Sequence, residues 1–403
     1  MVERLSTLQT FNLGVATILD RQAELSRTQL EVATGRKILS PADDPSGAVR
    51  ILDIQEDLAL VDQYGRNASL ARSQLSLEET ALDQIGVSLQ RVRELAIQAN
   101  NATQSPETRA AIAVELSERL DELVAIANSR DGNDEYLFAG FQARREPFSR
   151  SGNVVSYNGD DGQRFLDIAA GSQIAVRDSG SRVFLEARAG NGEFDFRAGA
   201  GNTGTAVVKD SGTSGAFTRD DYTITFTQAS PTDPITYEVT DGAATAVATG
   251  TYNSGEVIAF NGAEIVIEGV PEDSDVISIE SSPRQSVFTT VAELVEALES
   301  TTDDASSDAA VANAVASGLN NLDRALDNVL QVQTDVGVRL ARLDTQDEIN
   351  ADFDLTLRET LSDVQDLDFA EAISRLNLQL VALQAAQQTF VSTQQQLSLF
   401  DYF

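Results

Sequence analysis

"DGNDE" (Asp131–Glu135) sets oxygen-bearing side chains at alternating positions, the way a Ca²⁺ loop begins. An EF-hand loop also needs Gly at its sixth position and Glu at its twelfth. This chain has Tyr136 and Gln142 there, so the stretch reads as a solvated turn. "NAS" at Asn67 and "NAT" at Asn101 match the glycosylation acceptor pattern, but the first falls inside a heptad helix and both read as chance matches. A carboxylate-pair glycosidase needs two facing acids. With 63 Asp and Glu in 403 residues, close acidic pairs carry little information. The chain has no His and no Cys. That removes the usual zinc ligands, thiol nucleophiles, disulfides, His-based triads and the usual proton shuttle. The residues offer no catalytic group, no cofactor and no metal site, and the expectation is a protein that is not an enzyme.

The charge balance excludes further classes. A net charge of −34 repels nucleic-acid phosphates and anionic lipid, so neither is an expected partner. The cations are almost all Arg; Lys37 and Lys209 are the lysines. No apolar run approaches the ~20 residues of a membrane span. "MVERLSTLQTFNLGVATILD" lacks the uninterrupted apolar core and cleavage site of a secretory signal.

What remains informative is periodicity. Phe11, Ile18, Leu25 and Val32 recur every seventh residue, and Leu8, Val15, Gln22 and Gln29 form a second row offset by three. These are the two rows of a coiled-coil seam. "SPADDPSGA" (Ser40–Ala48) then interrupts the helix. Pro41 discourages helix at Ser40, Asp44 can N-cap, Pro45 suits the first helical position, and Asp43 and Asp44 favour a new N-terminus. A second heptad row, Ile54, Val61, Ala68, Leu75, Leu82, Leu89 and Ala96, is out of phase with the first by one residue. "NNATQSPETR" ends this helix and starts another, with Ser105 as cap and Pro106 next.

From about residue 135 turn residues alternate with short β-rich runs, including "NVVSYNG", "RFLDIA", "QIAVRD", "RVFLEA", "YTITFTQ", "ITYEVT" and "DVISIES". Asn261-Gly262, between "VIAF" and "AEIVI", predicts a tight hairpin. Helix returns with "TTVAELVEALES" and a long segment in which Leu322, Val329, Val336, Leu343, Leu357 and Val364 keep the seven-residue register. After "QDLDFAEA" a final seam begins. Ile373, Leu380, Gln387 and Gln394 form one row, and Leu376, Leu383, Phe390 and Leu397 the other. The fold class is mainly α with a β insertion: long antiparallel heptad helices formed by both chain ends, plus an all-β outer domain. The predicted divisions are 1–42 with 366–403 as a terminal coiled coil, 43–142 with 286–365 as a helical bundle, and 143–285 as the β domain. Two terminal helices alone have little core, and four Gln sit at seam positions. The termini are therefore expected to order upon assembly, with the Gln facing a polar cavity or neighbouring subunits.

Several of these stretches resemble a known family. "SLQRVRELAIQANNAT" (Ser88–Thr103), "ATGRKILSPADDPSGA" and "DVQDLDFAEAISRLNLQLVALQAAQQTF" are similar to the conserved ends of bacterial flagellins and flagellar hook-associated proteins. "NDEYLFAGFQARREPF" (Asn133–Phe148) and "VSYNGDDGQRFLDIAAGSQIAVRDSGSRVF" resemble elements of the hook–filament junction members, where flagellins usually carry an "FNG" motif. Residues from about 190 to 285 resemble nothing identified. The resemblance implies an axial structural protein of the flagellum, exported unfolded through the flagellar channel without a cleaved signal, and so extracellular. It also implies an export chaperone, self-association in a ring, and hook-associated protein 1 and flagellin as axial neighbours. The inner coiled coil would be the assembly interface, and Pro41, Asp43, Asp44 and Pro45 its joint to the next shell. A filament flagellin, or an adhesin acting through the β domain, are the alternatives.

Overall fold

The computed structural model describes residues 7–400. Helices α1 (Thr7–Thr34), α2 (Pro45–Ala99) and α3 (Pro106–Ala127) come first. Strands β1 (Phe148–Ser151), β2 (Val154–Tyr157), β3 (Phe165–Ala169) and β4 (Ser172–Ala175) lead to the short helix α4 (Gly180–Phe184). Then come β5 (Phe194–Ala198), β6 (Val207–Thr213), β7 (Tyr222–Thr227), β8 (Thr236–Thr240), β9 (Ala246–Thr251), β10 (Val257–Phe260), β11 (Ala263–Glu268) and β12 (Val276–Ser281). Helices α5 (Val287–Glu299), α6 (Ala305–Gln365) and α7 (Phe369–Phe400) close the chain. The architecture is mainly α with an antiparallel β insertion, as the sequence pattern predicts. The chain divides into two compact units, residues 67–345 and residues 1–66 with 346–403.

In the first unit, α2 and α6 run antiparallel. Arg72 pairs with Asp344 at 2.8 Å, Asp83 accepts from Gln333 at 2.5 Å, and Arg93 pairs with Asp323 at 2.9 Å. Successive cross-links are about three helical turns apart on both helices, which fixes the register. Between them the heptad rows are buried: Leu75, Leu82, Leu89 and Ala96 on α2, and Leu322, Val329, Val336 and Leu343 on α6. Each such Leu contributes about 1.5–3 kcal/mol by leaving water. The Ser105 side chain caps α3, and the buried Arg109 of its first turn donates to the Ala99 carbonyl and pairs with Asp308. That one guanidinium ties the end of α2 to the starts of α3 and α6.

The β region is shared between two cores. The hairpins β1–β2 and β3–β4 contribute Phe148, Ile168 and Ile174 to the helical core, together with Phe138, Phe184 and Phe288. Residues 194–279 have their own core, built from Phe194, Phe196, Tyr222, Ile224, Phe226, Ile265, Ile277 and Ile279. It lies on a five-stranded sheet of order β5-β12-β7-β8-β9 and a three-stranded sheet of order β10-β11-β6. Asn261 (φ 41°) and Gly262 (φ 87°) make the hairpin turn between β10 and β11, which pair as Phe260↔Ala263.

"RVFLEA" departs from its reading as a strand, because its first half completes α4. The Ser179 hydroxyl caps that turn by accepting from the Arg182 N–H at 3.4 Å. The turn delivers Phe184 to a triangle of rings with Phe148 and Phe288, each pair 5.1 Å apart. Packing of one aromatic side chain overrides the β propensity of the segment.

The second unit holds α1, α7, the first part of α2 and the last part of α6. Its cluster of buried apolar side chains is small: Ile54, Val61 and Leu357, with Leu58 and Leu361 against them.

Candidate assembly interface

Helices α1 and α7 pack antiparallel. The rings of Phe11 and Phe390 lie 5.4 Å apart near one end, and Glu31 accepts from Arg375 at 2.6 Å near the other. Gly14 admits the Phe390 ring, since a Cβ there would stand 2.6 Å from Phe390 Cδ2. The side of α1 toward α7 carries Val15, Ile18, Leu25, Thr28, Glu31 and Val32, all buried or half-buried. On α7 the corresponding face is Ala372, Leu376, Gln379, Leu383, Ala386 and Phe390.

Six of the sixteen predicted seam residues lie off this contact. Gln22, Gln29, Ile373, Leu380, Gln387 and Gln394 are exposed, one position round the helix from the contacting face. Ala372, Gln379 and Ala386 occupy the contact where Ile373, Leu380 and Gln387 were expected; at Ala372 and Ala386 the small side chains let the two backbones approach. The predicted rows Phe11, Ile18, Leu25, Val32 and Leu376, Leu383, Phe390 do meet. The side chains of Leu8 and Leu397 lie outside the described residues.

The joint between α1 and α2 is built from local hydrogen bonds. The Asp43 N–H donates to the Ser40 carbonyl at 3.0 Å, closing a turn with Pro41 at its second position. The Asp43 carboxylate accepts from the N–H groups of Ser40 at 2.9 Å and Leu39 at 3.1 Å, and these, Ser40 foremost, hold its pKa below the usual carboxylate range. Asp44 caps α2 by accepting from the N–H groups of Gly47 at 3.0 Å and Ser46 at 3.1 Å, and its pKa is lowered chiefly by the first of these. Pro45 opens the helix. Gly47 leaves room for these side chains: a Cβ would meet Asp44 Oδ2 at 2.5 Å and Ile38 Cδ1 at 2.6 Å, so the capping carboxylate would have to shift. Beside this turn, the segment entering α7 pairs with the one leaving α1. Lys37 N–H donates to the Gln365 carbonyl at 2.9 Å, and Leu367 N–H donates to the Gly35 carbonyl at 3.0 Å.

One ionic chain links joint and seam, and periodicity gave no sign of it. Asp43 pairs with Arg27 at 2.8 Å, Arg27 with Glu31 at 3.3 Å, and Glu31 with Arg375 at 2.6 Å. Only the i,i+4 spacing of Arg27 and Glu31 could have suggested its central link.

Away from the contact, both helices present apolar side chains to solvent. Leu13 is 68% exposed and Leu378 73%, and Leu19, Leu30, Val381 and Val391 are exposed as well. With the displaced Ile373 and Leu380 they make several sides of the helix pair apolar, as interaction surfaces are. The arrangement supplies no chemistry; it supplies surface.

Two motifs in the other unit also find structural roles. In "DGNDE", the buried Asp131 carboxylate accepts from the N–H groups of Asn133 and Glu135 and pairs with Arg177 at 2.6 Å. Among the described residues no group of His, Cys, Asp or Glu is arranged to hold a metal ion. In "YLFAG", Tyr136, Leu137, Phe138 and Ala139 are buried, and Gly140 adopts φ 67°, where a Cβ would stand 2.2 Å from the Asp160 carbonyl oxygen.

A model of the bacterial flagellin N-terminal helical region matches residues 5–143, and one of the bacterial flagellin C-terminal helical region matches residues 319–403. Terminal helices that close on each other around an inserted β region therefore mark a flagellin-type structural protein of the bacterial flagellum. The chain is 25% identical to flagellar hook-associated protein 3 of Escherichia coli K12, over 98% of each. It is 36% identical to FlgL of Xanthomonas campestris, whose crystal structure matches with a TM-score of 0.71 over 77% of this chain and 99% of that one. It is also 32% identical to hook-associated protein-3 of Legionella pneumophila, with a TM-score of 0.74 over 78% of this chain and 98% of that one. Phase 1 flagellin of Salmonella naestved matches only 28% of this chain. The chain belongs to the flagellar hook-associated protein 3 (FlgL) family, and is a structural protein of the flagellar junction rather than a filament flagellin.

Proposed function

We propose that the α1–α7 pair is the element by which this protein joins the hook side of the flagellum to the flagellin filament. The observation that carries this reading is the double use of the terminal helices. One face closes the chain's own two ends on each other, and the others leave Leu13, Leu19, Leu378 and Val381 for neighbouring subunits. On this reading hook-associated protein 1 lies on the hook side, flagellin on the other, and copies of this chain stand side by side in a ring. Exposed Gln22, Gln29, Gln387 and Gln394 suit a helix with one face toward a wet lumen or a polar neighbour. The chain reaches the exterior unfolded through the flagellar channel, escorted by an export chaperone, and a chain without Cys has no disulfide to obstruct that passage. Its role is structural and requires no cofactor.

Electron microscopy of a null mutant tests this: hooks without filaments are expected, restored by the intact gene. Normal filaments on the null mutant would overturn the reading. Because residues 194–279 have a core of their own, an adhesive role for that part stands as a second reading. Removing about residues 190–285 should leave filaments attached but abolish surface adhesion if that role exists.

A further inference from the structure

Among the described residues nineteen arginines form ion pairs, and against that background two neighbours stand out. Arg144 and Arg145, adjacent and exposed, form no ion pair among the described residues, although the chain carries 63 acids. They line a cleft of about 570 Å³ with Phe141 and with Arg164 and Glu135, which pair with each other at 3.1 Å and leave Arg144 and Arg145 as its cations without an acid. Phe141 is 62% exposed, yet it is held in place. Its N–H donates to the Asp160 carboxylate at 2.8 Å, and its ring lies over Gly162, where a Cβ would stand 2.1 Å from Phe141 Cδ2. Phe141 also lines a second hollow, with Leu70, Phe165 and Leu166. A fixed, exposed aromatic flanked by unpaired Arg has the make-up of a binding hot spot.

The chain carries the complementary surface. On α6, Glu348 and Asp352 lie one turn apart and form no ion pair among the described residues. Beside them Ile349 is 54% exposed and Phe353 50%. Acid and apolar side chains alternate there at the i, i+1, i+4, i+5 positions of one helical face. From this match we infer that the Phe141–Arg144–Arg145 patch of one copy docks on the Glu348–Phe353 face of α6 in a second copy. The inference rests on the proposed side-by-side packing of copies, and it adds which surfaces meet. A patch of cations on a chain of net charge −34 also gives like-charged copies one orientation in which they attract.

Two experiments on full-length protein in the source bacterium test it. The first places Phe141→Cys and Phe353→Cys in one chain, which otherwise has no thiol. Isolated flagella treated with a mild oxidant should yield disulfide-linked multimers of this chain, and each single-Cys variant should not. The second reverses charge. Arg144→Glu with Arg145→Glu should lower the number of attached filaments roughly tenfold, the factor for ~1.4 kcal/mol. Glu348→Arg with Asp352→Arg should do the same, and combining all four should restore attachment. Circular dichroism and the amount of protein exported establish that each variant folds and leaves the cell. Flagella that contain the protein and hold their filaments, yet give no linked multimers, would overturn the inference and leave the junction role intact. So would charge-reversed variants that attach filaments normally, or a link to a protein of different mass. Absence of the chain from isolated flagella would instead overturn the junction role.

Discussion

Glu31 and Arg375 are separated by 344 residues and meet at 2.6 Å, with the Glu31 carboxylate buried between α1 and α7. Arg27 touches the same carboxylate at 3.3 Å and continues to Asp43, so the contact between the chain's two ends is wired to the turn that starts α2. Removing Arg375 leaves a buried acid with one partner. Since Arg375 is 44% exposed, solvent screening limits the cost of Arg375→Ala to about 1 kcal/mol. The expected result is faster hydrogen exchange along both α1 and α7, with α2 and α6 unchanged in the 67–345 unit.

The joint should respond locally. Asp44→Ala removes the cap on α2, and the Ser46 and Gly47 amides should lose protection first. Both Asp43 and Asp44 have pKa values held below their ordinary 3.8. Their contribution is therefore complete above that pH and is lost as pH falls through the lower folded values. Replacing Pro41 and Pro45 together with Ala should impair filament attachment more than it lowers the melting temperature of the monomer.

Glu78 gives the opposite pH dependence. It is buried beside Asp178, whose N–H donates to Glu78 Oε1 at 3.0 Å, while Asp178 itself takes Arg182 and both terminal nitrogens of Arg339. Burial first, and then the Asp178 charge, push the Glu78 carboxyl from 4.5 up to about 8. The folded state holds this proton where the unfolded state has released it. Stability therefore falls as pH rises from 4.5 to about 8 and levels off above, with a limiting slope of roughly 1.4 kcal/mol per pH unit. Glu78→Gln should flatten this part of the curve and raise the melting temperature at pH 8, measured against wild type from pH 5 to 9.

Gly140→Ala tests the "YLFAG" element. Here a left-handed backbone coincides with a close approach of the Asp160 carbonyl, so the substitution should cost roughly 2 kcal/mol or more. Gly152 has a similar φ of 61° but open space around it, and Gly152→Ala should cost only about 1 kcal/mol. Denaturant titration of the two variants separates strain from collision.

What could be read in the sequence was local or periodic. The Asp44 cap, the Asn261-Gly262 turn and the antiparallel return of the long helices each follow from residues a few positions apart or seven apart. The heptad on α7 located an apolar stripe but not the flank that faces α1. Ile373 and Leu380 are as apolar as Leu376 and Leu383, because that helix carries two apolar faces and a seven-residue count cannot tell them apart. The chain from Asp43 to Arg375 and the burial of Glu78 beside Asp178 lay beyond reach for another reason. Both join residues far apart in sequence, and among so many acids no single one announces a partner. The sharing of residues 148–187 with the helical core was hidden likewise, since a strand pattern does not reveal which core its apolar side faces.

The pairing of Gly35 with Leu367 and of Phe11 with Phe390 also sets an order of events. A helix at the very start of the polypeptide has no mate until the last few dozen residues are available. Closing so long a loop adds little free energy, because the entropic cost grows only with the logarithm of its length, but it makes the contact late. A chain delivered end-first would complete its bundle before its first helix could be matched. In that interval α1 leaves open the face of Leu25, Thr28 and Val32 that α7 later covers.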